Sequence, residues 1–93
     1  MVQCTGLFEA GDALRNVIHD LKVPLFFIVG VRSYYLHQQG KTVDSCPVFT
    51  EPFLQAWQIP YVVLDQRHTA QDLAAAIRQG QTQRRAGAAL IAE

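Results

Sequence analysis

The segment Val23-Pro24-Leu25-Phe26-Phe27-Ile28-Val29-Gly30-Val31 limits the possible folds more than any other. It is continuously apolar, so it does not read as a strand with one wet face, which would alternate. It is also only about half the ~20 residues needed to cross a bilayer. A short unbroken apolar run fits a parallel strand covered by helices on both faces. Pro24 falls at its start, where a missing N–H donor does least harm.

Two more runs have this character, Ile59-Pro60-Tyr61-Val62-Val63-Leu64 and Gly87-Ala88-Ala89-Leu90-Ile91-Ala92, and Met1 to Cys4 reads as a strand stub. Helical spacing separates them. Leu7, Ala10, Leu14, Val17 and Leu21 recur on one side of a predicted helix with Thr5 as its cap and Lys22 at its end. Thr50 caps a predicted short helix with Pro52 in its first turn and Phe53, Leu54 and Trp57 as its apolar face. Thr69 caps another that carries Leu73, Ala76 and Ile77 and runs toward Gln83. Between Arg32 and Phe49 no period holds, which predicts a functional or disordered loop. The alternation predicts an α/β fold, with a parallel sheet of three to four strands and helices on both faces. With 93 residues, the chain allows one domain, spanning 1–93.

Charge then restricts the partners. Eight Lys+Arg balance eight Asp+Glu, so the basic face needed to neutralise phosphates is missing, and neither nucleic acid nor an anionic membrane is expected. Charged residues are 17% of the chain, against a usual quarter, which predicts surface covered by another subunit in a homo- or hetero-oligomer. Cys4 and Cys46 are far apart and form no CxxC, and no apolar leader follows a basic start. These features predict a soluble cytoplasmic protein without a disulfide staple.

Ligands of open α/β sheets bind beyond the carboxyl ends of strands. Two such ends are legible, Gln3-Cys4-Thr5-Gly6 and Gly30-Val31-Arg32. The first leads into a helix N-terminus, suited to an anion or a polar ligand edge, or is simply a capped turn around a small buried Cys. Arg32 can grip a carboxylate or phosphonate in bidentate fashion, or pair with Asp44, Glu51 or Asp65. Tyr34, Tyr35, His37, Gln38 and Gln39 suit closure over a pocket or packing on another chain. His19 lies on a polar helix face and His68 precedes a cap. No His, Cys or carboxylate set has metal-ligand spacing, and no nucleophile elbow, phosphate loop or dinucleotide fingerprint occurs.

Taken in order, Gln3-Cys4-Thr5-Gly6-Leu7, Pro24 to Arg32, Thr50 with Leu54, and Ile59-Pro60-Tyr61 resemble the second half of a known domain. It is the pyrimidine-binding domain of thiamine-diphosphate-dependent 2-oxo acid decarboxylases, of the phosphonopyruvate and sulfopyruvate kind. Those proteins carry Gln-Asn-Ser-Gly-Leu, a strand ending in Gly-Trp-Arg-Gly, Thr-x-x-Leu-Leu and Gly-Ile-Pro-Tyr. The resemblance implies thiamine diphosphate with Mg²⁺, bound together with a partner diphosphate-binding domain. It implies cofactor contacts through Gln3, Thr5 and Gly6 and substrate contacts through Arg32 and His37. The family's activating glutamate would precede Met1, and the family's Asp-Glu-Pro-Gln-His segment aligns with Gln39-Gly40-Lys41-Thr42-Val43. The diphosphate signature Gly-Asp-Gly…Asn does not occur.

The leading expectation is therefore a partial pyrimidine-type domain, not catalytic alone. Two alternatives stand beside it: an α/β interaction module docking through Tyr34, Tyr35 and Trp57, and a stand-alone enzyme using Cys46 or His37.

Overall fold

The computed structural model describes all residues, Met1–Glu93. Along the chain run β1 (Val2–Gln3), α1 (Cys4–Glu9), α2 (Gly11–Arg15), β2 (Phe26–Val31), α3 (Tyr34–Gln38), α4 (Cys46–Ala56), β3 (Tyr61–Leu64), α5 (Ala70–Gln83) and β4 (Gly87–Ala92). The four strands form one parallel sheet in the order β1-β2-β4-β3. The α/β class, the parallel sheet and its strand number are as expected from the apolar runs.

Right-handed crossovers put α1 and α4 on one face and α5 on the other, because β1→β2 and β2→β3 move one way across the sheet and β3→β4 moves back. The contacts agree: α1 packs on α4 and β2, while α5 packs on β3 and β4. Alternation along β2 sends Val29 and Val31 into a buried cluster with Leu7, Leu54, Ile59 and Leu90. Phe26 points the other way, toward Gly80 of α5 and Gly87 of β4. A side chain at either glycine would press on that ring, so close helix–sheet approach explains both.

Several expectations are corrected. The first helix is not one rod capped by Thr5: Gln3 is the N-cap, Cys4 opens α1, and Ala10 separates α1 from α2. Residues Asn16–Asp20 then widen into a π-type turn closed by the Leu21 N–H on the Asn16 carbonyl. This underwinding rotates Leu21 out of the apolar stripe to 64% exposure. Gln58 and Lys22 follow helix ends with φ of 57° and 60°, in the left-handed region that usually holds glycine.

The Arg32–Phe49 stretch is not structureless. It contains α3 and the first turn of α4, which begins at Cys46 rather than at Thr50. Asp44 opens α4 by accepting the Cys46 N–H at 3.0 Å, and Pro47 occupies the first turn. Thr50 is fully inside the helix, and its hydroxyl donates to the Cys46 carbonyl at 2.7 Å. Pro52 sits mid-helix at a face open to solvent.

The absence of a disulfide is likewise overturned. The first residues of α1 and α4, Cys4 and Cys46, are joined as a disulfide with Cα atoms 6.4 Å apart, inside the normal range. Both are buried. The pairing joins positions separated by 42 residues, so no local spacing announces it.

Candidate functional site

The carboxyl ends of the strands form one edge with two parts. At the first, register places Gln3 of β1 beside Gly30 of β2. The space over Gly30 is taken by the Gln3 amide and the Glu93 carboxylate, both of which a Cβ there would strike. Thr5 is exposed in the first turn of α1 and Gly6 is half-buried behind it. The sequence-predicted residues Gln3, Thr5 and Gly6 thus lie together, and Glu93 joins them from the end of β4.

Arg32 follows β2 directly and is held by Asp44, with Nε donating to Oδ2 at 2.9 Å. Ser33 donates to the same oxygen at 3.0 Å. The Cys46 N–H is the main reason the Asp44 carboxyl stays below its ordinary range, with Ser33 and Arg32 adding to it. Of the alternatives open for Arg32, the pairing with Asp44 is the one present. His37 lies on α3, exposed to solvent, and its side chain takes no part in that ion pair.

Trp57 is not a free docking platform. Its ring stacks on Phe53 at 5.2 Å between centroids, and its Nε1 donates to the Gly11 carbonyl at 2.6 Å. His19 reaches the Trp57 carbonyl and so ties the first helical segment to the end of α4. Cys46 is consumed by its bond to Cys4, which removes it as a nucleophile in this state.

The second part of the edge is a crevice that sequence reasoning missed. The chain leaves β2 toward one face and β3 toward the other, so the carboxyl end of β4 lies at a topological switch point. A cavity of about 430 Å³ opens there, with Leu64, Leu73 and Ile91 as apolar wall and Tyr35, Gln66 and His68 among its polar residues. Asp65, just past β3, carries the fixed charge. The Arg67 guanidinium donates to it at 2.9 Å, the Arg67 N–H at 2.9 Å, and the His68 Nδ1 lies 3.0 Å from its Oδ1. Those bonds, Arg67 first, hold the Asp65 carboxyl well below the usual carboxylate range. The Asp65 N–H also lies 3.1 Å from His68 Nδ1. The available signal was Asp65-x-x-His68 between a strand end and the helix cap Thr69.

No group of three His, Cys, Asp or Glu side chains converges as a metal site. No helix is long and apolar enough to cross a membrane. No protein-family model, curated protein or solved structure matches this chain.

Proposed function

We propose that the chain is a pyrimidine-type module of a thiamine-diphosphate-dependent 2-oxo acid decarboxylase of the phosphonopyruvate or sulfopyruvate kind, working only inside a larger assembly. The carrying observation is the register that seats Gln3 beside Gly30, with Arg32 two residues beyond. The donor set suits one end of the cofactor. The Gln3 amide and Glu93 carboxylate offer a donor and an acceptor to an aminopyrimidine edge, and Thr5 and Gly6 border them. Nothing in the chain suits Mg²⁺ and the diphosphate, which a partner domain must hold. The bound cofactor supplies the electron sink for decarboxylation. On this chain, Arg32 would exchange Asp44 for the substrate's anionic group, with His37 beyond it, and Gln3 would orient the pyrimidine.

Calorimetry and amide NMR test the proposal. The isolated chain should show no micromolar affinity for thiamine diphosphate with Mg²⁺. The free aminopyrimidine fragment should shift the Gln3 and Gly30 amides at millimolar concentration, and Gln3→Ala should abolish those shifts. Micromolar binding of the whole cofactor, or a fragment that leaves both amides unmoved, overturns the proposal.

A second reading, a non-enzymatic interaction or oligomerisation module, has its own observation. Leu36, Val43, Val48 and Phe49 are exposed apolar residues on and between α3 and the start of α4. It predicts an oligomer in light scattering that Phe49→Glu converts to monomer; a wild-type chain that is monomeric at high micromolar concentration excludes it.

A further inference from the structure

At the opposite edge of the sheet, where β2, β3 and β4 begin, a cavity of about 310 Å³ opens beside Pro24 and Pro60. Lys22, Arg84 and Arg85 line it, and no Asp or Glu does. The ion pairs of the chain engage Arg15, Arg32, Arg67 and His68, so none of these three cations has a carboxylate partner. Neutralising helix carboxyl ends explains basic residues here only in part. Backbone N–H groups already meet carbonyls at those ends: Gln81 accepts from Arg84, Gly80 from Arg85, Val17 from Val23 and Leu54 from Ile59. The backbone adds a second observation. Four non-glycine residues have positive φ, and three of them, Lys22 at 60°, Gln58 at 57° and Arg84 at 50°, line this one cavity. Glycine is the least costly residue in that conformation, yet at three separate helix ends a long polar side chain stands in its place. Such outliers gather where a ligand is held.

We propose that this cavity binds a compact phosphate-class anion of two or more negative charges, free or carried on a small ester. Coulomb attraction between exposed groups acts over about 8 Å at physiological salt, so three cations around a small cavity attract an anion without a fixed contact to one atom. The guanidinium groups of Arg84 and Arg85 are permanently charged and match phosphate oxygens, and Lys22 adds a point charge. A tetrahedral phosphate offers oxygens in several directions to donors arriving from separate chain ends, whereas a carboxylate offers two in one plane. The volume lies at the low end of the ~300–1,000 Å³ usual for small-molecule sites, which suits a small anion. A nucleic acid needs an extended row of cations instead. The site lies at the amino ends of the strands and is independent of the proposed cofactor end.

Amide NMR titration of the intact chain at low ionic strength with pyrophosphate, phosphate and acetate tests this. Pyrophosphate should shift the Lys22, Gln58 and Arg85 amides saturably, bind at least about fivefold more tightly than phosphate, and leave the Gln3 and Gly30 amides unmoved. Lys22→Gln and Arg85→Gln should each weaken pyrophosphate about fivefold, while Lys41→Gln, which removes a cation outside the cavity, should change nothing. Arg84→Gly should also weaken it about fivefold, although the substitution relieves the backbone. No saturation by about 10 mM pyrophosphate, acetate as tight as phosphate, an equal loss in Lys41→Gln, or tighter binding of a short DNA duplex would each overturn the assignment. The wild-type anion series decides the matter even where a variant fails to fold.

Discussion

The two faces of the sheet are closed by different means. On one, α1 and α4 cover β2 with fully buried Leu7, Leu54 and Val29, an aromatic cluster of Phe8, Phe53 and Trp57, and the Cys4–Cys46 bond. On the other stands α5 alone, with none of its residues fully buried and its inner side built from Leu73, Ala76, Ile77 and Gly80. A second cavity, of about 190 Å³, lies between α5 and the sheet beside Phe26 and Gly87. Complete burial is concentrated on the first face, whereas α5 on the second buries none of its residues fully. Small side chains on α5 bring the helix close to the sheet but leave few atoms to fill the space.

The largest expected effect breaks the first face. Replacing Cys4 and Cys46 with serine, or adding a reductant, releases a cross-link across a separation of 42 residues. Loop-closure entropy for such a span is roughly 4 kcal/mol, so urea unfolding should shift by a large part of the total stability. Superimposable unfolding curves with and without reductant would remove the bond from the comparison. Next in size is a matched pair of truncations. Leu54→Ala, at a position with no exposed surface, should cost about 3 kcal/mol, and Leu73→Ala on half-covered α5 about 1 kcal/mol. Equal costs in chemical denaturation would mean the faces are equally packed.

A smaller change should strengthen the weaker face. Arg84 ends α5 with φ 50° and ψ 45°, where an L side chain crowds the following carbonyl. Arg84→Gly relieves that cost and should raise the melting temperature by a few degrees, corresponding to about 0.5–1 kcal/mol. The smallest effect concerns pH. The folded state holds Asp65 below its unfolded value of 3.8, so its contribution is complete above that value and declines as pH falls through the depressed folded one. Carboxyl NMR should therefore show Asp65 titrating below pH 3.8, and Arg67→Gln should raise its midpoint.

The sheet was largely legible because its signals are local. Apolar runs marked β2, β3 and β4, and Thr69 marked the start of α5, where the structure adds a reciprocal cap with Asp72. Phe26 and Tyr61 begin their strands later than the runs do, since Pro24 and Pro60 delay the ladder. The missed elements depend on tertiary partners. Asp44 serves both as acceptor for the Cys46 N–H and as counter-ion to Arg32, and only its position in space shows that it opens α4. The widened turn at Asn16–Asp20 has no sequence mark stronger than the apolar period it disrupts. Of the candidate site, the ends of β1 and β2 were visible as turn motifs. The His68 crevice was not, because it needs Tyr35 to come from a helix distant in sequence.

The position of β4 also affects how the molecule is made. It follows β2 and β3 in the chain yet lies between them, paired with β2 from Phe26↔Gly87 to Val31↔Ala92 and with β3 from Tyr61↔Ala88 to Leu64↔Ile91. During synthesis the earlier strands emerge with no common neighbour, and β2 can pair only with the two residues of β1. The sheet cannot close until Gly87–Ala92 has left the ribosome and been inserted between them. A nascent chain arrested before Gly87 should therefore expose Val29 and Val63 to chaperones, and its protease resistance should rise in one step when β4 is added.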